Sequence, residues 1–494
     1  MPRPKVPERI LMQMKEPTGG QLELLTRAQL DKIHDATIEI LWKLGVKVWE
    51  KNALELFKDA GANVDEKGMM VRIPEGLLRE TVRKAPSEFY YHGRDPKYRL
   101  LMGRKKVHYS IAGQPVFVHD LDGKIRRAVV KDAEDFARIG DSCQNIHHIS
   151  VGTVPSDVPD DVHAHHVMFT NWRNSRKTTD GYNYGAQTAA ETVVMASILR
   201  GGDENLRKMP TLLGYVNPVS PMQLSRELVE GALVYAKYSQ PVLYAPEALA
   251  GGTAPVTLAG LLVQQNAEVL AGIMVSQLAN PGTPVLYGTV SAAMDMKTGA
   301  AALGGPEVGL INVASAQLAR YYGLPCRGTG GNTDSKTVDA QAGIETAQSL
   351  LMASMAGMNF IYDAAGSLDG SLVLSKEKVV IDDELCGMVI RILEGIRVDD
   401  ETLATEEILK AGPAASFLGT PFTMKHLRSE HFIPTLLERR SREAWGKDGF
   451  KDVAMRAREK AKRILREHVP DPMEKNIVSD LEEYIKKTTK AHGH

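Results

Sequence analysis

The residues best placed to do chemistry are four tyrosines, each ending a short apolar run that breaks into a small-residue or proline loop. They are Tyr215 (Leu212-Leu213-Gly214-Tyr215-Val216-Asn217-Pro218), Tyr244 (Pro241-Val242-Leu243-Tyr244-Ala245-Pro246), Tyr287 (Pro284-Val285-Leu286-Tyr287-Gly288) and Tyr362 (Phe360-Ile361-Tyr362-Asp363-Ala364). Each run is strand-like and flanked by helix-like stretches, which predicts equivalent ends of parallel strands. Any one of the four suits plain core packing. Four in matching register predict a shared pocket where α/β folds place their chemistry. Aromatic faces there suit a cation with an apolar body, since a methylated ammonium gains roughly 0.5–2 kcal/mol per well-placed ring.

The loop Gly328-Thr329-Gly330-Gly331-Asn332-Thr333-Asp334-Ser335-Lys336 is the second candidate. It lacks the adjacent Gly-Lys-Ser/Thr that sets an ammonium against a triphosphate, so a nucleotide loop is rejected. Two readings stay open: backbone N–H groups near a helix start that receive an anion such as a carboxylate, or a tight turn that needs positive φ. Arg327, at the end of a strand-like run, can pair with an anionic substrate end or be held in stacking or an internal salt bridge. His163, His165 and His166 are the densest imidazole cluster, but no second ligand set stands at metal spacing, and packing is the preferred reading. His147 and His148 open another strand-like run, where one of the two faces inward. No metal site, no Ser-His-Asp order and no Cys-His order follows from the spacing.

A strand, a loop of Gly, Pro, Asn or Asp, and a helix recur eight times between about 105 and 375. The strands are expected at 107–111, 147–152, 177–182, 211–216, 241–245, 284–289, 325–329 and 360–363, with helices at 189–199, 223–238, 258–278, 308–322 and 339–357. Their spacing matches the roughly 30 or more residues of a strand-helix unit. Eight such units predict closure into a (β/α)₈ barrel. The competing open doubly wound sheet usually has fewer strands, and no GxGxxG follows the first strand. Residues 1–100 read as a mostly helical leading domain with an extended arm over 1–20, 101–378 as the catalytic barrel, and 379–494 as a helical extension. In that extension helices are expected at 382–396, 430–444, 451–467 and 480–487.

The charge balance of 60 Lys and Arg against 61 Asp and Glu favours neither nucleic acid nor an anionic membrane surface. Three scattered cysteines give no disulfide framework and fit a reducing cytoplasm. The amino terminus lacks a signal peptide's apolar segment, and no uninterrupted apolar run predicts a membrane span. A homo-oligomer is expected from the general prevalence of symmetric assemblies.

Several stretches together resemble the trimethylamine methyltransferase family. They are Tyr287-Gly288 with Met294-Asp295-Met296; Gly304-Gly305-Pro306-Glu307; Ala319-Arg320-Tyr321-Tyr322-Gly323-Leu324-Pro325; Gly330-Gly331-Asn332-Thr333-Asp334-Ser335-Lys336 with Asp339-Ala340-Gln341-Ala342-Gly343; and, later, His426-Leu427-Arg428-Ser429-Glu430-His431 and Arg456-Ala457-Arg458. The resemblance covers nearly the whole chain. It implies a (β/α)₈ protein that moves a methyl group from a methylated amine to the cobalt of a corrinoid protein. This chain lacks the Asp-x-His-x-x-Gly signature of a corrinoid ligand, so the cofactor is expected on a partner.

One departure shapes the substrate. Founding members carry pyrrolysine in the last glycine-rich loop, at or near Asn332, where this chain has an ordinary amide. A quaternary ammonium does not need the electrophilic imine of pyrrolysine, because its nitrogen is already positive and leaves as a neutral amine. The resemblance therefore points to the subgroup that acts on glycine betaine and related betaines (proline betaine, carnitine, γ-butyrobetaine). It gives Asn332 a catalytic role, makes Tyr215, Tyr244, Tyr287 and Tyr362 an apolar box, and leaves Arg327, Gly330 and Gly331 to receive a carboxylate. Two other readings are a lyase or decarboxylase, which needs a base or metal not found in the sequence, and a non-catalytic relative that binds a quaternary amine or a corrinoid protein.

Overall fold

The computed structural model describes residues 15–150 and 152–494, so the first part of the expected arm and Val151 of the expected second strand lie outside the described residues. Six parallel strands form the central sheet: β1 (His108–Ile111), β2 (Gly214–Val216), β3 (Val242–Tyr244), β4 (Val285–Gly288), β5 (Cys326–Thr329) and β6 (Phe360–Ala365). Their order is β1-β6-β5-β4-β3-β2. The stretches expected as strands at 147–152 and 177–182 contribute single parallel bridges instead, Ser110 with His148 and His148 with Thr178. Next to them, Gly181 N–H donates to the Leu213 carbonyl at 3.0 Å, just before β2.

Helices cover the outside. They include α1 (Leu258–Ala279), α2 (Pro306–Tyr321), α3 (Ala340–Met355) and α4 (Lys376–Leu393). Helix α2 begins with Pro at its first turn, where the missing N–H costs nothing. Asp339 caps α3 by accepting from Ala342 N–H at 2.9 Å. Helix α1 is buried almost all round, which only a core helix tolerates. Its length and apolarity (mean hydropathy 1.4) are those of a membrane-crossing helix, but 78% of that stretch is buried inside the protein, as in a core helix. The polar residues that interrupt it are all paired: Asn266 donates to Thr37 and Tyr322, and Glu268 accepts from Met222 N–H and the Ser220 hydroxyl.

The leading region is mixed rather than mostly helical. Helices Arg27–Lys43, Lys51–Asp59 and Glu75–Val82 alternate with strands Val46–Val48, Asn63–Asp65 and Met70–Arg72. A hairpin, Phe89–His92 with Arg99–Met102, then packs Phe89, Tyr91, Leu100 and Met102 against Leu213, Leu243, Leu286 and Phe360 of the sheet's inner face.

At the other end, α4 starts before the expected boundary at 379 and is largely buried, and it is tied to the end of β6 where Gly366 N–H donates to Asp382 at 2.8 Å. No helix runs through 431–441. Pro434 lacks a donor there, and the N–H groups of Thr435, Leu436 and Leu437 turn to the Glu384 carboxylate at 2.8–3.0 Å. The short helices Thr405–Ala411, Pro421–Glu430 and Arg442–Lys447 lie in a mostly exposed segment before Val453–Glu467 and Lys475–Ala491 pack back on the body.

Candidate functional site

The register of the strands decides which tyrosines meet. Tyr244 pairs with Tyr287 and with Val216, whereas Tyr215 pairs with Leu243. Because side chains alternate between faces, a one-residue offset puts Tyr215 inside the sheet's curve and turns Tyr244 and Tyr287 outward. Tyr244 packs on α1, its hydroxyl 2.6 Å from Ser276 Oγ. Tyr287 donates to Asn266 Oδ1 at 2.9 Å, also on α1, and stacks on Tyr322. The structure therefore does not bring these two to the pocket expected of them. It brings Tyr215 and Tyr362 together, with ring centroids 5.5 Å apart.

Both rings are tied to one carboxylate. Asp180 is fully buried and accepts from the hydroxyls of Tyr215 and Tyr362, the latter at 2.8 Å. His148 Nε2 lies 2.9 Å from the same carboxylate, and Ser150 Oγ lies 2.7 Å from the Tyr362 hydroxyl. Gly113 makes this possible, since a Cβ there would fall 1.9 Å from that hydroxyl. Burial, and then the charge of Asp180, holds both phenols well above the usual tyrosine range, so they stay protonated donors.

Above this layer sits a second polar group. The Arg327 guanidinium lies over the Tyr362 ring, 4.9 Å from its centroid, and Nη1 donates to the Thr289 carbonyl at 2.8 Å. Asp363 follows Tyr362 at an irregularity of β6 and has a positive φ of 59°. Bulges of this kind re-aim side chains beside functional sites. Asn332 Nδ2 donates to Asp363 Oδ2 at 3.2 Å and to Ser371 Oγ at 2.7 Å. Burial pushes the Asp363 carboxyl up, against the opposing pull of Arg327 and Asn332. Arg327, Asn332 and Asp363 are all at least nine-tenths buried, yet Arg327 Nε, Asn332 Oδ1 and Asp363 Oδ1 have no partner among the described residues. Buried polar groups are normally paired, so three unmet ones in one cluster point to a ligand.

The glycine-rich loop resolves the two readings left open. Gly330 N–H donates to the Tyr362 carbonyl at 3.1 Å and Gly331 N–H to Ser349 Oγ at 3.0 Å, so neither is spare for an anion. Gly331 has φ +102°, and a Cβ on it would meet the Asp363 carbonyl at 2.5 Å. Its glycines serve the turn and the close approach to β6. Lys378 braces the loop from α4: it donates to the Gly331 carbonyl at 3.4 Å and to Thr346 Oγ1 at 2.9 Å, whose hydroxyl donates to the same carbonyl at 3.1 Å.

Sequence reasoning missed Asp180 and Asp363. For Asp363 the available signal was an acid closing the apolar run Phe360-Ile361-Tyr362, whereas Asp180 follows the polar Lys177-Thr178-Thr179 and carried none. His148 faces inward as one of its pair was expected to, and His165 pairs with Glu191 at 3.0 Å. Among the described residues no group of three or more His, Cys, Asp or Glu side chains is arranged to hold a metal ion.

These features define an α/β protein with a buried aromatic and charged site at the carboxyl ends of parallel strands. The chain belongs to the trimethylamine methyltransferase (MTTB) family, whose match spans residues 4–493. It is 36% identical over 480 residues to a glycine betaine methyltransferase of Desulfitobacterium hafniense (strain Y51), covering 96% of this chain and 99% of that protein. It is equally similar, 36% over 481 residues, to the trimethylamine methyltransferase MttB of Methanosarcina barkeri (strain Fusaro / DSM 804), covering 96% of each. The crystal structure of the hydroxylamine MtmB complex shares the fold, with a TM-score of 0.50 and 10% identity over 92% of this chain and 96% of that one.

Proposed function

We propose that this protein is a cytoplasmic methyltransferase that demethylates a quaternary amine bearing a carboxylate, with glycine betaine first among candidates, and passes the methyl group to a corrinoid protein. The observation that carries this is the opposed pair of unmet needs in one buried cluster: an Arg327 N–H without an acceptor beside Asn332 and Asp363 oxygens without donors. A betaine brings an acceptor for the first and a positive charge for the second, since its quaternary nitrogen has no N–H and meets the oxygens by charge alone. Its carboxylate answers Arg327, and its trimethylammonium head lies by the Tyr215 and Tyr362 rings and the Asp363 carboxylate. Trimethylamine has no group for Arg327.

The six-stranded sheet, extended by the bridges at His148 and Thr178, supports reading residues 101–378 as a closed (β/α)₈ unit. The methyl acceptor is a reduced corrinoid on a partner protein, whose Co(I) supplies the nucleophile when docked. Its approach fits the exposed apolar residues Val219, Val256, Met296 and Leu372, all on connections that follow sheet strands. The chain's own contribution is orientation: Arg327 fixes one end of the substrate, and Asp180 locks the two rings that hold the other. The C–N bond breaks with its electron pair left on nitrogen, so the departing tertiary amine needs no proton from the site. Asn332 then acts by holding Asp363 rather than as an electrophile, which an amide cannot be.

The test mixes purified protein with cob(I)alamin and follows loss of its absorbance. Glycine betaine is expected to drive the reaction and trimethylamine not to. Demethylation of trimethylamine alone would overturn the proposal.

A further inference from the structure

We propose that residues 396–442 form a contact surface between copies of this chain. This segment leaves the body after α4 and buries almost nothing of its own: only His426 and Leu436 are buried in it. Helix Thr405–Ala411 has no buried residue at all. A helix of that length has no stability in water without packing. Yet the segment is rich in large apolar side chains left in solvent, including Ile396 at 87%, Leu409 at 77% and Leu418 at 90% exposure, with Val398, Met424 and Ile433 more than half exposed. Their open surface is on the order of 1,000 Å², enough for one side of a standard interface, which buries about 800 Å² per partner. Exposed apolar area of this size marks an interaction site.

Two observations choose a second copy as the occupant. The first is charge. Residues 399–407 carry five acids and no base, and residues 425–442 carry five bases (Lys425, Arg428, Arg439, Arg440 and Arg442) against two acids, Glu430 and Glu438. Within one chain Glu401 is taken by Arg397 and Lys425, and Arg440 by Glu438 and Asp448. Asp400, Glu406 and Glu407, and Arg428, Arg439 and Arg442, are left without ion pairs among the described residues. A two-fold contact sets the acidic half of each copy against the basic half of the other, the self-complementarity that an isologous interface requires. The second is position. Glu394, at the start of the segment, pairs with Lys15, whose carbonyl lies 3.1 Å from His147 Nε2. His147 in turn packs on His108, the first residue of β1. The segment thus departs from the amino ends of the strands, away from Arg327, Asn332 and Asp363, where a partner bringing a methyl acceptor has no reason to sit.

Sedimentation velocity on the purified full chain at micromolar concentration tests this. The wild-type protein is expected to sediment as a dimer or a higher even multiple. Leu409→Glu with Leu418→Glu is expected to reduce the mass at least twofold while leaving the far-ultraviolet circular dichroism and the turnover per chain unchanged. A charge-swap pair guards against misfolding of that variant. Chains with Glu406→Arg and Glu407→Arg, and chains with Arg439→Glu and Arg442→Glu, should each dissociate more readily alone and recover the assembly when mixed. A monomeric wild-type chain, an unchanged mass in both sets of variants, or no recovery on mixing would each overturn the proposal.

Discussion

Replacing Asp180 with alanine tests whether one carboxylate holds both site rings. Asp180 takes hydrogen bonds from Tyr215, Tyr362 and His148 in a fully buried setting. Tyr362 keeps Ser150 as an alternative partner, which leaves two donors stranded. At about 1–3 kcal/mol for each buried unsatisfied group, the fold should lose roughly 2–6 kcal/mol. Losing the set of two rings around the cation should cost a further 0.5–2 kcal/mol of binding for each, roughly a fivefold to several-hundredfold rise in KM. Urea denaturation and initial rates of cob(I)alamin consumption measure the two effects separately. A third measurement isolates the cause: in a Tyr215→Phe, Tyr362→Phe background both phenol donors are gone and only His148 still faces Asp180, so adding Asp180→Ala should cost less than in the wild type. Equal cost in both backgrounds, or a destabilised Asp180→Ala enzyme with its KM unchanged, would refute the reasoning.

Three further outcomes are expected. Arg327→Met should weaken glycine betaine by about 10- to 150-fold, the 1.5–3 kcal/mol of a hydrogen bond to a charged group, while leaving tetramethylammonium much less affected in competition binding. Tyr244→Phe should lower stability by about 0.5–1.5 kcal/mol through loss of the Ser276 bond and leave KM unchanged, because the ring faces α1; a chemical melt and a KM measurement check both halves. For Asp141, burial alone would raise the carboxyl, but the His468 bond, the Lys177 charge and the Arg176 N–H outweigh it and bring it down to about 2. A folded value below the unfolded one of about 3.9 stabilises the protein above that pH and is lost as the pH falls through about 2. Asp141→Asn should therefore flatten the acid side of the stability profile between about pH 4 and 2, by about 2–3 kcal/mol in denaturant titrations.

The alternation of apolar runs and helices was legible because parallel strands and their crossover helices each carry their own periodicity. The strands expected at 147–152 and 177–182 shrink to bridges where the backbone leaves strand geometry: Tyr109 N–H also donates to His147 Nδ1 at 3.0 Å, and Ser150 has a positive φ of 64°. The tyrosine set was half legible. A strand's side chains alternate, so whether Tyr244 faces in or out depends on its pairing with Tyr287 and Val216, and no single segment records that register. Asp180 escaped notice for a related reason: its partners come from positions 148, 215 and 362, and nothing local distinguishes it from a loop acid. The start of α4 at Lys376, three residues before the expected boundary at 379, was hidden because its first turn, Lys376-Glu377-Lys378, reads as exposed yet is buried by ion pairs from distant elements.

The point at which α4 hands over to the exposed segment divides the molecule's duties. Glu394 starts that segment beside Lys15, at the pole opposite Asn332. Chemistry and docking traffic belong to one pole, cohesion to the other. Drift in residues 396–442 can then remodel quaternary packing while the doorway over Arg327 keeps its shape, and a change of substrate can be accommodated at that doorway without renegotiating how subunits adhere.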